Sequence, residues 1–101
     1  MRGVIDKIIG KPEANAEPVG EMYIKAIPLR AYEDVDIIKS EVRAGNIVIT
    51  NVSPLAKNSI EDVKRAINEL NEYAVLIRGD IARLGEERVI LTPKTVKIWR
   101  A

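Results

Sequence analysis

The first eleven residues carry their apolar side chains at helical spacing. Five apolar residues recur at intervals of three and four and share one stripe: Met1, Val4, Ile5, Ile8 and Ile9. The opposite face is polar and carries Arg2, Asp6 and Lys7. Gly10 and Pro12 follow the stripe, as glycine and proline commonly do just past the end of a helix. The spacing therefore predicts an amphipathic helix over residues 1–11.

Residues 12–20 (PEANAEPVG) have the composition of a linker, with two prolines, two glutamates and a glycine. The short helix before this linker must still cover its apolar stripe. One interpretation is a membrane anchor, with the stripe in the acyl boundary and the basic residues beside anionic headgroups. The other is an ordinary surface helix that packs on the core. Because one short helix binds a membrane weakly, the anchor interpretation also predicts a dimer with two such helices.

The pattern after residue 20 alternates between strand and helix periodicity. Runs rich in β-formers predict strands over 21–29, 46–52, 80–84, 88–92 and 95–99. Helical spacing predicts helices over 32–44 and 59–78, each followed by a glycine. The predicted order is β-α-β-α-β-β-β, in which the last three strands form a meander. This order predicts an α+β domain over 21–101, an α/β sandwich with one mixed sheet and two helices packed on it.

Each predicted helix has one apolar stripe that is expected to face the sheet. In the first helix the stripe consists of Val35, Ile38 and Val42. In the second helix it consists of Ile60, Val63, Ile67, Leu70, Ala74 and Ile77. Asn58 and Glu61 resemble a capping box at the start of the second helix. Ser53-Pro54 is expected to end the strand that precedes it.

Composition narrows the possible chemistry. The chain has no cysteine and no histidine, which excludes thiol nucleophiles and thiolate metal sites and removes the commonest general base. We therefore expect no catalytic residue, no metal and no cofactor. A formal net charge of +1, with only three tyrosines and one tryptophan, argues against a nucleic-acid binder. No segment approaches the roughly 18–20 apolar residues that span a bilayer, and the N-terminus is not a secretory signal, so we expect a cytoplasmic protein.

One predicted surface pairs cationic with aliphatic side chains. Arg83 and Arg88 flank the expected turn at Gly85, with Leu84 and Ile90 nearby. Cationic groups beside exposed aliphatic groups suit a partner peptide that carries both acidic and apolar side chains. The alternative is that the two arginines are only the outward residues of a half-buried hairpin.

Residues 77–98 (IRGDIARLGEERVILTPKTVKI) resemble the C-terminal half of the SepF family of cell-division proteins. The shared pattern is a helix, then Gly-Asp-Ile, then x-Arg-Leu-Gly, a strand, Thr-Pro and a further strand. Residues 27–55 (IPLRAYEDVDIIKSEVRAGNIVITNVSPL) and 1–10 (MRGVIDKIIG) resemble the same family, especially its archaeal branch. The order in which the segments occur makes the resemblance specific, and it covers nearly the whole chain except the linker.

The resemblance implies a non-catalytic tether that links the tubulin-like division protein FtsZ to the inner face of the membrane during septum formation. Family members insert an N-terminal helix into the membrane, form homodimers through the sheet and second helix, and bind the C-terminal tail of FtsZ in a pocket near the dimer interface. The implied membrane-binding residues are Met1, Val4, Ile5, Ile8 and Ile9. The implied tail-binding residues are Arg83, Leu84, Arg88 and Ile90. Arg78 and Gly79 are the implied dimer or oligomer contacts, where bacterial members often have a glycine pair.

Two other functions stay open at this point. The first is a soluble homodimeric regulatory domain that binds a small ligand at its dimer interface and has no membrane role. The second is a weak nucleic-acid binder. Liposome binding separates the first from a membrane tether, and a steep salt dependence would mark the second.

Overall fold

The computed structural model describes residues 20–101. The predicted helix over 1–11 and all but the last residue of the predicted linker lie outside these residues. The described chain forms seven elements in this order: β1 (Ile24–Ala26), α1 (Asp34–Arg43), β2 (Ile47–Asn51), α2 (Ser53–Asn58), α3 (Ile60–Leu76), β3 (Asp80–Leu84) and β4 (Arg88–Thr92). No helix within 20–101 is both long enough and apolar enough to cross a bilayer.

The four strands form one mixed sheet in the order β1-β2-β4-β3. β1 runs parallel to β2, whereas β4 runs antiparallel to both β2 and β3. The two parallel strands are connected through α1, because a parallel pair needs a crossover rather than a tight turn. The predicted α+β fold with a single mixed sheet is confirmed.

The helices pack on one face of the sheet and form the core with it. Val48, Val89 and Leu91 point to this face and are buried. The stripe predicted for α1 is confirmed, since Val35, Ile38 and Val42 are all buried. From the stripe predicted for α3 the structure buries Val63, Leu70 and Ala74. Ile60 from the same stripe is 54% exposed, so the stripe does not reach the first residue of α3.

The connection between β2 and α3 differs from the prediction. Ser53-Pro54 does end the strand, but Ser53–Asn58 forms a short additional helix, so the described residues contain three helices rather than two. Proline suits the first turn of this helix, where the backbone N–H groups have no partner within the helix. The predicted capping box at Asn58 and Glu61 is wrong. The cap of α3 is Ser59, whose Oγ accepts a hydrogen bond from the N–H of Asp62 at 3.1 Å.

The segment after β4 also differs from the prediction, because the strand expected over 95–99 does not form. Hydrogen bonds from side chains, rather than pairing with a neighbouring strand, hold this segment on the domain. Thr92 Oγ1 donates a hydrogen bond to the carbonyl oxygen of Val96 at 2.7 Å. Asp80 Oδ2 accepts one from the N–H of Ile98 at 2.9 Å. The predicted meander is therefore a two-stranded hairpin, and β3 remains an edge strand of the sheet.

The strand directions give the domain two distinct ends. At the lower end, as we call it, β1, β2 and β3 begin and β4 finishes. The turn between β3 and β4 (residues 85–87) lies at the upper end. α1 and α3 finish at the lower end, because each leads into a strand that begins there. Gly20, the first described residue, shortly precedes β1 and so belongs to the lower end as well.

Candidate functional site

A groove lies between α3 and the β3–β4 hairpin, on the face of the sheet that the helices cover. Its volume is about 480 Å³. The lining comes from the end of β2, α3, β3, the hairpin turn and β4: Val52, Ile67, Asn71, Ile81, Ala82, Arg83, Glu86, Arg88 and Val89. A groove of this size with a mixed apolar and polar lining suits a short peptide segment.

The groove combines an apolar floor with a cationic rim. The floor residues are Ile67, Ile81 and Val89. The rim carries Arg83 and Arg88, both of them exposed. Arg83 Nη2 donates a hydrogen bond to the carbonyl oxygen of Glu86 at 3.4 Å, which holds the guanidinium near the hairpin turn. The Arg83 guanidinium beside the apolar floor, with the Arg88 guanidinium at the edge of the groove, can bind a carboxylate and an aliphatic side chain of the same peptide.

The structure separates the four residues that the resemblance implies for tail binding. Arg83 and Arg88 both line the groove. Alternate residues of a strand point to opposite faces of the sheet, so Leu84, Arg88 and Ile90 share the face opposite Arg83, and Arg88 reaches the groove from its edge at the hairpin. Arg88, at the start of β4, also borders a smaller cavity of about 180 Å³ beside Ile49. Of the four residues, only Arg83 and Arg88 line the groove, and the role of all four in tail binding stays a prediction.

Several groove residues have no sequence signal that marks them as part of a site. Ile67 belongs to the apolar stripe of α3, and that stripe shows only that Ile67 faces the sheet. Val52 ends a buried run, and Asn71 is a polar residue on a long helix. Glu86 stands in a turn where acidic residues are common. Only the folded chain brings Val52, Ile67 and Asn71 next to Arg83, so their separation along the sequence hides the groove.

The other face of the sheet carries apolar side chains that none of the described helices covers. They are Ile24, Ala26, Ile47, Ile49, Ala82, Leu84 and Ile90, and we call them the open face. Ile24 is 68% exposed and Leu84 is 50% exposed. Contiguous apolar surface on a sheet is typical of a face that binds another protein.

Arg78 and Gly79 form the connection from α3 into β3. Arg78 is exposed and has a φ of 61°. Gly79 lies directly against β4, so that an added Cβ atom would be 2.1 Å from the carbonyl oxygen of Thr92. This close approach explains the glycine without any partner molecule. The implied role of the two residues in dimer or oligomer contacts stays a prediction.

Asp80 fastens the C-terminal segment to β3. Its carboxylate accepts hydrogen bonds from both terminal nitrogens of Arg100, each at 3.2 Å, and from the N–H of Ile98 at 2.9 Å. The Arg100 guanidinium, followed by the backbone N–H groups of Ile98 and Ile81, lowers the pKa of Asp80 from 3.8 to about 2. Arg100 also donates to the carbonyl oxygen of Ile81 at 2.8 Å and so covers part of the exposed edge of β3.

Asp80→Asn is expected to remove part of the pH dependence of stability. Between about pH 4 and pH 2 the unfolded chain holds more protons at this carboxyl than the folded chain, so the free energy of unfolding falls as the pH is lowered. Urea titrations at a series of pH values should show a difference between the wild type and Asp80→Asn that shrinks towards pH 2. Glu72→Gln, at an exposed carboxylate on α3, is the control and should follow the wild type. Parallel curves for the wild type and Asp80→Asn would contradict the contribution of Asp80.

A second polar cluster joins α1 to α3. Glu69 accepts hydrogen bonds from Lys39 Nζ and Tyr32 Oη, which lower the pKa of Glu69 and raise the pKa of both donors. Arg65 lies over the Tyr32 ring, with its Cζ 4.3 Å from the ring centroid. These side chains bond to one another and link α1 to α3, and they also line a cavity of about 450 Å³. Within 20–101 no group of three or more carboxylates is placed to hold a metal ion.

Comparison with known proteins gives consistent matches. The family model described as Cell division protein SepF matches residues 24–98. The cell division protein SepF of Haloferax volcanii is 31% identical over 68 residues, which cover 67% of this chain and 57% of that relative. The structure of the SepF-like protein from Archaeoglobus fulgidus aligns with a TM-score of 0.72 at 33% identity, covering 77% of this chain and 93% of that one. The SepF-like protein from Pyrococcus furiosus aligns with a TM-score of 0.73 at 32% identity, covering 83% and 100%.

The fold and the groove define a small α+β domain with helices on one face of a mixed sheet and an apolar face on the other. The chain belongs to the SepF family of cell division proteins. The matched region runs from the start of β1 through every described helix and strand into the C-terminal segment. The resemblance inferred from residues 77–98 is thus confirmed.

Proposed function

We propose that this chain is a non-catalytic adaptor that holds FtsZ filaments at the cytoplasmic face of the membrane during cell division. In this proposal the groove binds the C-terminal tail of FtsZ, the open face joins two copies of the chain, and residues 1–11 bind lipid. Membership of the SepF family supports the role in cell division. The groove carries the proposal, because its lining matches a peptide that is both acidic and apolar.

The geometry of the groove suggests how each part of the tail binds. Apolar side chains of the tail lie on Ile67, Ile81 and Val89, where their contact removes aliphatic surface from water. Carboxylates of the tail pair with Arg83 and Arg88 at the rim. Arginine suits this position, since its planar guanidinium can donate two parallel hydrogen bonds to one carboxylate.

Arg83→Glu is expected to weaken binding of the tail by about tenfold to a hundredfold, since a charge-assisted hydrogen bond contributes ~1.5–3 kcal/mol. The measurement is calorimetric titration with a synthetic peptide of the C-terminal residues of FtsZ from the same organism. Arg30→Glu makes the same change of charge near the opposite edge of the sheet and should leave the affinity within about twofold of the wild type, since long-range charge effects are screened. An unaltered affinity in Arg83→Glu would remove this arginine from the site.

The membrane role is supported by the apolar stripe of residues 1–11. Met1, Val4, Ile5, Ile8 and Ile9 share that stripe, with basic residues on the other side. Two helices carried by one dimer bind a vesicle more tightly than one helix alone, because the second binds at a high effective concentration. A filament that holds many dimers raises the effective concentration of membrane-binding helices further, so each single contact can be weak while the filament stays bound.

Ile5→Glu and Ile8→Glu are each expected to abolish sedimentation of the full chain with vesicles of phosphatidylcholine and phosphatidylglycerol, because a carboxylate in the stripe opposes burial among acyl chains. Far-ultraviolet circular dichroism should stay close to that of the wild type, since both substitutions leave the sequence of the domain over 20–101 unchanged. Ile60→Glu is the matched control, because it makes the same substitution at an exposed isoleucine of α3. Vesicle binding that persists in both N-terminal variants would refute the anchor.

The proposed homodimer uses the open face. Two copies that place their open faces together bury Ile49 and Ile90 at the centre of the sheet, because β2 and β4 are its inner strands. Such an interface is isologous, so each residue of the face contributes twice. Arg83 and the apolar floor of each groove lie on the opposite, helix-covered face, whereas Ala82 and Arg88 border the groove from the open face.

A further inference from the structure

The lower end of the domain presents large apolar side chains to solvent. Trp99, Val75 and Leu76 are 87%, 77% and 76% exposed, the highest fractions for large apolar residues within 20–101. None of the three belongs to the core, the groove or the open face. Neither the proposed tail binding nor the proposed dimer therefore accounts for them.

The fold brings these residues to the same end of the sheet. Val75 and Leu76 form the last turn of α3, which finishes at the lower end. Trp99 follows Ile98, whose N–H is bonded to Asp80 at the start of β3. Lys97 Nζ donates a hydrogen bond to the carbonyl oxygen of Arg78 at 2.9 Å, which ties the C-terminal segment to the end of α3.

The exposed charges around this end are mainly positive. The basic residues are Arg43 at the end of α1, Arg78 after α3, and Lys94, Lys97 and Arg100 on the C-terminal segment. The nearby acidic residues are Glu21, Glu41, Glu72 and Asp80, of which Glu41 is paired with Lys25 and Asp80 with Arg100. Residues 93–101 contain three basic side chains and no acidic one. Exposed tryptophan and leucine beside lysine and arginine are typical of surfaces that lie at the membrane interface.

The chain before Gly20 is attached at this same end. Tyr23 accepts a hydrogen bond at its carbonyl oxygen from the N–H of Ile47 at 2.8 Å, which fixes the start of β1 beside the start of β2. Residues 1–19 therefore connect to the domain at the lower end, whereas the rim of the groove and the hairpin turn lie towards the upper end. A lipid-bound N-terminus would thus hold the lower end near the membrane.

We propose that the lower end is a second lipid-binding surface, in which Trp99, Val75 and Leu76 contact the interface and the surrounding lysines and arginines contact anionic headgroups. This inference rests on the proposed membrane role and adds a contact from the folded domain to it. The lower end of the domain then faces the lipid, and the rim of the proposed tail-binding groove, towards the upper end, faces away from it. A second copy of the chain fits this surface less well, because it would place like charges at Lys94 and Lys97 against each other.

Trp99 is the only tryptophan of the chain, so its fluorescence reports this contact directly in the full protein. Vesicles of phosphatidylcholine and phosphatidylglycerol should shift its emission to shorter wavelength, and brominated acyl chains should quench it. Vesicles of phosphatidylcholine alone should do so much less. Sedimentation of the full chain without any change in Trp99 emission would overturn the second surface and leave the N-terminal anchor intact. If the chain neither sediments with vesicles nor changes its Trp99 emission, both the N-terminal anchor and the second surface are refuted.

Charge variants test the electrostatic part of the surface. Lys94→Gln with Lys97→Gln should weaken binding to anionic vesicles by about fivefold for each lysine removed. Lys57→Gln with Lys64→Gln removes the same charge from α2 and the first half of α3, and should have little effect. Equal affinities for the two double variants would overturn the proposal. A shift of Trp99 emission that depends on protein concentration without lipid would also overturn it, in favour of a second copy.

Discussion

Ile90→Glu is expected to convert the proposed dimer into monomers that keep their fold. Ile90 lies on an inner strand of the sheet and pairs with Ile49, so it stands near the centre of the open face. Its side chain points away from the core that the helices form, and the substitution therefore leaves that core unchanged. Each dimer would bury two unpaired carboxylates, because the interface is symmetric.

The expected size of this effect follows from the cost of burying polar groups. A buried polar group without a partner costs ~2 kcal/mol, so two of them raise the dissociation constant of the dimer by about a thousandfold. Sedimentation equilibrium over a range of protein concentrations measures this constant. Ile37→Glu provides the control, since it makes the same substitution at a half-exposed isoleucine of α1. A dimer that survives Ile90→Glu would show that the open face is not the interface.

The same variant separates two roles for Ile90. The resemblance implies that Ile90 contacts the FtsZ tail, whereas the structure places it on the face opposite Arg83. A monomeric Ile90→Glu chain that still binds the tail peptide assigns Ile90 to the dimer alone. Loss of both properties would mean that the tail also contacts the dimer interface.

The sequence predicts the two-layer fold because its helices have clear periodicity. Val35, Ile38 and Val42 lie on one stripe of α1, and all three are buried. In β2 the continuous apolar run of Ile47, Val48 and Ile49 predicts a strand buried on both faces. In the single chain only Val48 is fully buried, while both isoleucines remain partly exposed on the open face. In the proposed dimer a second copy would cover these two isoleucines.

Other features could not be predicted because they depend on contacts between distant segments. The strand expected over 95–99 has suitable residues, but the side chains of Thr92 and Asp80 hold that segment outside the sheet. Arg83 and Arg88, the arginines of the proposed tail site, are visible in the sequence because they flank Gly85. Their apolar partner Ile67 lies on another element, and only the packing of α3 against the hairpin brings it to the groove.

Gly79→Ala is expected to produce the largest loss of stability among these variants. The added Cβ would stand 2.1 Å from the carbonyl oxygen of Thr92, and this neighbour is backbone rather than a flexible side chain. The first pair of β3 and β4, Asp80 with Thr92, would have to move apart. Overpacking of this kind costs on the order of 3 kcal/mol, which lowers the melting temperature of a domain of this size by roughly 12–24 °C.

Gly85→Ala is the matched control for this prediction. Gly85 has a φ of +79° and no heavy atom within 4 Å of an added Cβ, so alanine there costs about 1 kcal/mol for its backbone conformation alone. Thermal unfolding of both variants at several protein concentrations separates strain within the chain from loss of a contact between chains. A concentration-independent loss assigns Gly79 to strand packing. If Gly79→Ala instead matched Gly85→Ala in dilute solution and diverged only as the concentration rose, its implied role in oligomer contacts would stand.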